Sequence, residues 1–163
     1  GRFSVSAFPH LNEQGDAHMV DVTAKSVTER AATARSRISL STEVIGRLNA
    51  GDMPKGDALA VARIAAISAT KKTSDLIPLC HPLAIHGVDV SVELDQTGAE
   101  ITVTVKTADR TGVEMEALTA ASVGALTLID MVKGLDRLAR IEFVELLEKK
   151  GGRSGHWIRS EHE

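Results

Sequence analysis

Two periodicities divide this chain. Across 31–41, small or apolar side chains take every second position: Ala32, Ala34, Ser36, Ile38 and Leu40 share one face, while Thr33, Arg35, Arg37 and Ser39 share the other. That alternation predicts a half-buried strand. The same period returns over 85–94 and 100–107, flanking a hairpin turn at 95–99 that contains Gly98. A last strand is predicted over 140–147. Between these segments the pattern turns helical. Ser41 or Thr42 caps a short helix through Leu48, and Asn49-Ala50-Gly51 stops it. Asp57 caps a second, Ala-rich helix through about Ala69. The stretch 73–82, with Pro78 and Pro82, reads as a rigid non-helical segment. The strongest signal lies at 111–136. From Ala117 to Ile129 thirteen residues carry no charge, which predicts a helix over about 116–135, apolar almost all round and therefore buried.

The resulting order, β-α-α-β-β-α-β, is close to the split βαβ arrangement with one added helix. It defines an α+β domain with helices covering one face of an antiparallel sheet. The other face is left to solvent or to another subunit. Residues 1–20 hold Pro9, Gly15 and scattered polar side chains, and read as a flexible arm ordered, if at all, by a partner. Residues 21–150 form a single domain, and 151–163 a Gly-rich tail.

Composition narrows the function. The 163 residues suffice for one core without staples, and 43% hydrophobic with 25% charged residues is a globular composition. With three Phe, one Trp and no Tyr, a stacking platform for single-stranded nucleic acid is not expected, and a net charge of −3 argues against a nucleic-acid footprint. Single Cys80 excludes an internal disulfide and fits a reducing, cytoplasmic compartment. No segment reads as a signal peptide or as the ~18–20 apolar residues of a membrane span.

Candidate chemistry starts with Asp130 and Lys133, one turn apart at the end of the neutral helix. Either they pair or line a pocket as acid–base groups, or they mark where the helix surfaces, with Lys133 at the negative end of the dipole and Gly134 ending the helix. Cys80 and His81 sit between two prolines. His81 reads as a ligand contact or proton carrier, or simply as a surface residue, and Cys80 as a small buried hydrophobe. A Cys–His dyad is weak, because neighbours in an extended segment point apart. The six histidines show no HExxH spacing, so no metal site is expected. Lys55-Gly56-Asp57 opens a helix, where N–H groups favour phosphate. The tail motif Gly151-Gly152-Arg153-Ser154-Gly155 is not a Walker loop, yet offers N–H groups and Arg153 to an anion. Lys55, Lys71, Lys72, Lys133, Lys149, Arg35 and Arg37 together suit a polyphosphorylated small molecule. On a regular helix Glu116 and Asp130 point within roughly 40° of each other but stand about 21 Å apart along the axis. One small-molecule pocket in one chain does not easily use both, so if both are functional they serve separate sites or one site completed by a neighbouring chain.

The segments HMVDVTAK (18–25), KGDALAVARIA (55–65), KKTSDLIPLCHPL (71–83), TGVEMEALTAASVGALTLIDMVKGLD (111–136) and GGRSGHW (151–157) closely resemble those of the MoaC family of molybdenum-cofactor biosynthesis. Ile129 and Val132 depart from it, standing where many relatives carry Tyr and Cys. The resemblance implies a ferredoxin-like α+β fold and a lyase that converts 3′,8-cyclo-7,8-dihydroguanosine triphosphate to cyclic pyranopterin monophosphate and pyrophosphate. It places the active-site aspartate on Asp130, the catalytic lysine on Lys133, and substrate contacts on Leu79, Cys80, His81, Met115 and Glu116. Arg30, Lys55, Lys71 and Glu114 match further polar site positions. No cofactor is implied as required, with Mg²⁺ possible alongside the triphosphate. The implied assembly is a hexamer, a trimer of dimers, with sites between subunits. The rival reading is a catalytically silent nucleotide-binding or assembly protein on the same fold.

Overall fold

The computed structural model describes residues 15–153 and 155–160. The first fourteen residues of the expected arm lie outside them, as do Ser154 and 161–163 of the expected tail. Nine elements follow in order: β1 (Thr28–Ser39), α1 (Thr42–Ala50), α2 (Ala58–Thr70), α3 (Thr73–Leu76), β2 (Gly87–Leu94), β3 (Gly98–Asp109), α4 (Glu114–Val132), β4 (Arg140–Lys150) and β5 (Trp157–Ile158). The sheet runs β2-β3-β1-β4-β5 with every neighbour antiparallel. The fold is α+β and ferredoxin-like, with the helices on one face.

Alternation in β1 sets which face is covered. Ala32, Ala34, Ser36 and Ile38 are buried beside Ile101, Val103 and Val105 of β3. Above them lie α4 and α2. At Gly124 these helices pack close: a Cβ there would stand 3.3 Å from the Ala66 methyl and 3.3 Å from Ile101 Cδ1. Ala62, Ala66, Ala120, Ala121 and Ala125 supply the rest of this small-residue seam. A polar tie joins β1 to α4, the Ser36 hydroxyl donating to the Ala121 carbonyl at 2.8 Å. Its burial is offset by that bond. The opposite face is a ladder of ion pairs. Arg37 grips Asp95 through two hydrogen bonds of 2.7 and 2.9 Å, and Arg35 meets Glu145 at 2.7 Å while lying over the Phe143 ring.

Local signals place most boundaries. The Ser41 hydroxyl accepts from Val44 N–H, and Gly51 closes α1 in the left-handed conformation at φ 68°. Asp57 caps α2 by accepting from Ala60 N–H. The structure corrects the reading in three places. Residues 73–76 form a helical turn, because Lys72, Thr73 and Ser74 precede the prolines and are free to coil. Gly134 does not adopt a left-handed cap; instead the Leu135 and Asp136 N–H groups both return to the Val132 carbonyl. The tail turns back at Gly151, Gly152 and Gly155, all with positive φ, and pairs as β5 on the edge of β4. By length and composition α4 could cross a membrane, but half of it is buried inside the domain as the core helix.

Candidate active site

The first turn of α4 and the loop after α3 build a recess of about 160 Å³ lined by Leu79, Cys80, His81, Leu83, Thr111, Gly112, Glu114, Met115 and Glu116. Five of the expected contacts, Leu79, Cys80, His81, Met115 and Glu116, therefore meet here, with Glu114 beside them. The proline-bracketed loop turns both Cys80 and His81 to the same recess, against the expectation that neighbours point apart. The turn is fixed by the Cys80 N–H, which donates to the Ile77 carbonyl at 3.1 Å.

Glu116 is only 3% exposed and has no cation within ion-pair distance among the described residues. Burial pushes its carboxyl up to about 7, and the Glu114 carboxylate adds to the rise. Burial also raises the Cys80 thiol, helped by Glu116 and Glu114, so this cysteine is not an activated thiolate. Lys149 Nζ lies 2.9 Å from Glu114 Oε1, an ion pair that links the end of β4 to the recess. Pairing by sequence pattern could not reveal it, because Lys149 lies on a strand far along the chain. Asp21, from the segment HMVDVTAK, is held low by hydrogen bonds from Thr23 and also feels His81.

Asp130 and Lys133 sit at the other end of α4. They pair, Lys133 Nζ to Asp130 Oδ1 at 2.7 Å, but their side chains are 58% and 60% exposed. The pair thus marks where the helix surfaces rather than a buried ion pair. Lys55 joins them, its Nζ donating to the Asp130 carbonyl at 3.1 Å. Lys133 and, more weakly, Lys55 hold the Asp130 carboxyl below its ordinary value. Because α2 runs antiparallel to α4, Lys71 falls at the far end of α2 from Lys55. Arg30 is at neither place: it donates from β1 to the carbonyls of Asp109 and Arg110 at 3.2 and 3.5 Å.

A carboxyl raised by burial, Glu116, and one lowered by cations, Asp130, thus stand at opposite ends of α4 on a ferredoxin-like α+β scaffold. Residues 19–152 match the family model described as the MoaC family, and the chain belongs to that family. Among its relatives, a protein named cyclic pyranopterin monophosphate synthase 2 from Mycobacterium tuberculosis (strain ATCC 25618 / H37Rv) is 55% identical over 150 residues, covering 92% of this chain and 90% of that protein. The cyclic pyranopterin monophosphate synthase of Streptomyces avermitilis is 56% identical over 151 residues, with 93% and 89% covered. That of Desulfitobacterium hafniense is 51% identical over 154 residues, with 94% of each chain covered.

Proposed function

We propose that this chain is a cyclic pyranopterin monophosphate synthase of molybdenum-cofactor biosynthesis. It takes 3′,8-cyclo-7,8-dihydroguanosine triphosphate to cyclic pyranopterin monophosphate and pyrophosphate. The observation that carries the reading is the division of α4, with an ionised Asp130 beside Lys133 and Lys55 at one end and a near-neutral-pKa Glu116 beside His81 at the other. Opening the purine ring and reclosing it as a pyranopterin requires repeated proton transfers. Groups whose pKa values are driven apart supply both acid and base near neutral pH. In the final step a substrate hydroxyl attacks the α-phosphorus, its proton passes to a base, and the bond to the pyrophosphate oxygen breaks. Cations facing that oxygen stabilise the charge it acquires. Mg²⁺ carried on the triphosphate would be held by phosphate oxygens and is not a resident group of the protein.

The active assembly in this reading is a homo-oligomer, the hexamer of three dimers. Two features support it. A recess of about 160 Å³ is smaller than the ~300–1,000 Å³ of small-molecule sites, so one chain holds only part of the site. The outer face of α2 and α4 exposes Val61, Ile64 and Leu126, apolar side chains that a second copy would cover. If the two α4 helices pack antiparallel about a twofold axis near their midpoint, Asp130, Lys133 and Lys55 of one copy face Glu116, Cys80 and His81 of the other. We place the protein in the cytoplasm, where free Cys80 stays reduced. Incubation with the cyclic nucleotide tests the activity. Release of one pyrophosphate per pterin formed supports it; nucleotide bound but unchanged favours the silent binder.

A further inference from the structure

The loop that carries Cys80 and His81 returns to the sheet through residues 82–86. Its main chain joins β3 at His86, whose N–H donates to the Lys106 carbonyl at 2.9 Å. Ahead of that point, side chains of β3 hold it. The Ala84 N–H donates to Asp109 Oδ2 at 3.2 Å, and the Ala84 carbonyl accepts from the Thr107 hydroxyl. Both main-chain polar groups of Ala84 are therefore bound by side chains two residues apart on one strand, where alternate positions share a face. Thr107 is buried and its hydroxyl is spent on this bond. Asp109 has a second hold: its other oxygen, Oδ1, accepts from the Arg110 N–H at 2.7 Å. Its own carbonyl accepts from Arg30 Nε at 3.2 Å, which fixes the main chain from which the carboxylate projects. The Arg110 N–H, and to a lesser degree the Ala84 N–H, hold this carboxyl below its ordinary value, so at neutral pH both oxygens accept.

The two N–H groups bound by Asp109 belong to the two walls of the recess. Ala84 follows His81 and Leu83 on one wall, and Arg110 precedes Thr111 and Gly112 on the other. We propose that Asp109, assisted by Thr107, is a positioning residue: it sets the separation between the His81 loop and the turn leading into α4. Neither side chain lines the recess. Both act on a bound molecule through the loop they hold, and chiefly through His81. The proposal rests on the synthase reading for its kinetic consequence and adds two residues to it. The consequence is large, because displacing a contact by about 1 Å costs a reaction about 10²-fold even when the altered residue lies away from the chemistry.

Three variants test it in the full-length protein. Asp109→Asn keeps the size of the side chain but has one acceptor oxygen, so it serves one N–H and turns an NH₂ group toward the other. Thr107→Val keeps the shape and removes the hydroxyl; Thr107→Ser restores it. The chain has a single cysteine, Cys80, and it lines the recess, so its alkylation by iodoacetamide reads the loop without turnover. Asp109→Asn and Thr107→Val are expected to raise that rate several-fold, and Thr107→Ser to leave it at the wild-type value. With the cyclic nucleotide, kcat/KM should fall about tenfold or more in the first two and recover in Thr107→Ser. The decisive comparison is a double-mutant cycle with His81→Ala. In that background Asp109→Asn should cost no more than about threefold further, since residues that act through one another are not additive. A full, additive loss in the cycle overturns the proposal, because it is what a general loss of stability produces. So does an unaltered Cys80 rate in both Asp109→Asn and Thr107→Val. If Asp109→Asn fails to fold, the Thr107→Val and Thr107→Ser pair, each crossed with His81→Ala, decides alone. Failure of the synthase reading shows separately, as absence of pyrophosphate from the wild type, and the Cys80 rates then still decide the positioning.

Discussion

Replacing Lys133 with Ala separates chemistry from stability, because in the single chain the Asp130–Lys133 pair lies in solvent. The two charges are 2.7 Å apart, yet their side chains are 58% and 60% exposed. An exposed helical pair adds little to stability, because water and salt screen it. Its loss should leave Tm nearly unchanged. A catalytic proton donor or acceptor contributes about 10²–10⁴-fold to rate. Lys133→Ala and Asp130→Asn should therefore cut turnover by two orders of magnitude or more while their melts nearly overlay the wild type. A second consequence follows in Lys133→Ala. Lys133 is the main group holding the Asp130 carboxyl low, with Lys55 a weaker contributor. Its removal lets that pKa rise, so the acidic limb of any residual activity moves to higher pH. The measurements are pyrophosphate release against pH and thermal melts at matched protein concentration. A variant that is folded and nearly fully active refutes the acid–base assignment; one that unfolds refutes the picture of an exposed pair.

Glu116→Gln should be more stable than the wild type above pH 7 and equal to it near pH 4. A carboxyl raised from 4.5 to about 7 costs stability as pH climbs between those values, by at most ~3–4 kcal/mol at ~1.36 kcal/mol per unit, and by less where water or a second copy's Lys133 reaches it. Urea melts at pH 5 and pH 8 check this, and parallel pH slopes for the two proteins would sink it. Binding should require the triphosphate and weaken with salt, since its charges are met by cations of the site; equal affinity for the monophosphate nucleotide, insensitive to salt, contradicts that. Gly124→Val should cost about 1–3 kcal/mol by overpacking the seam against Ala66 and Ile101, read as a lower urea midpoint; an unchanged midpoint means α2 and α4 are not tightly packed there.

Much of the fold was legible because burial imposes period. Ala32 to Ile38 alternate because β1 has one covered face, and 117–129 is neutral because α4 crosses the core. What escaped were elements set by contacts rather than pattern. β5 is two residues long and exists through its pairing with Glu148 and Lys149. The α3 turn precedes its prolines and has only four residues to signal it. Sequence spacing separated Glu116 from Asp130 correctly, since helix geometry is regular. It left open whether Asp130 is buried or surfaces, because a neutral helix looks buried whether it faces its own core or, as Leu126 does at 58% exposure, the outside of the chain. The approach of Gly152 to the Arg30 guanidinium required the chain after β4 to fold back, which no local pattern encodes.

Glu116 of one copy and Asp130 of another should serve one reaction. Glu116→Ala and Asp130→Asn chains, each inactive alone, are mixed in equal amounts under conditions of subunit exchange, and pyrophosphate release from the cyclic nucleotide is followed. Random reassembly makes about half of symmetric dimers mixed, each with one intact site of two, so about a quarter of wild-type activity should return. Exchange demonstrated by mass labelling with no activity regained, or a fully active monomer by light scattering, contradicts the claim.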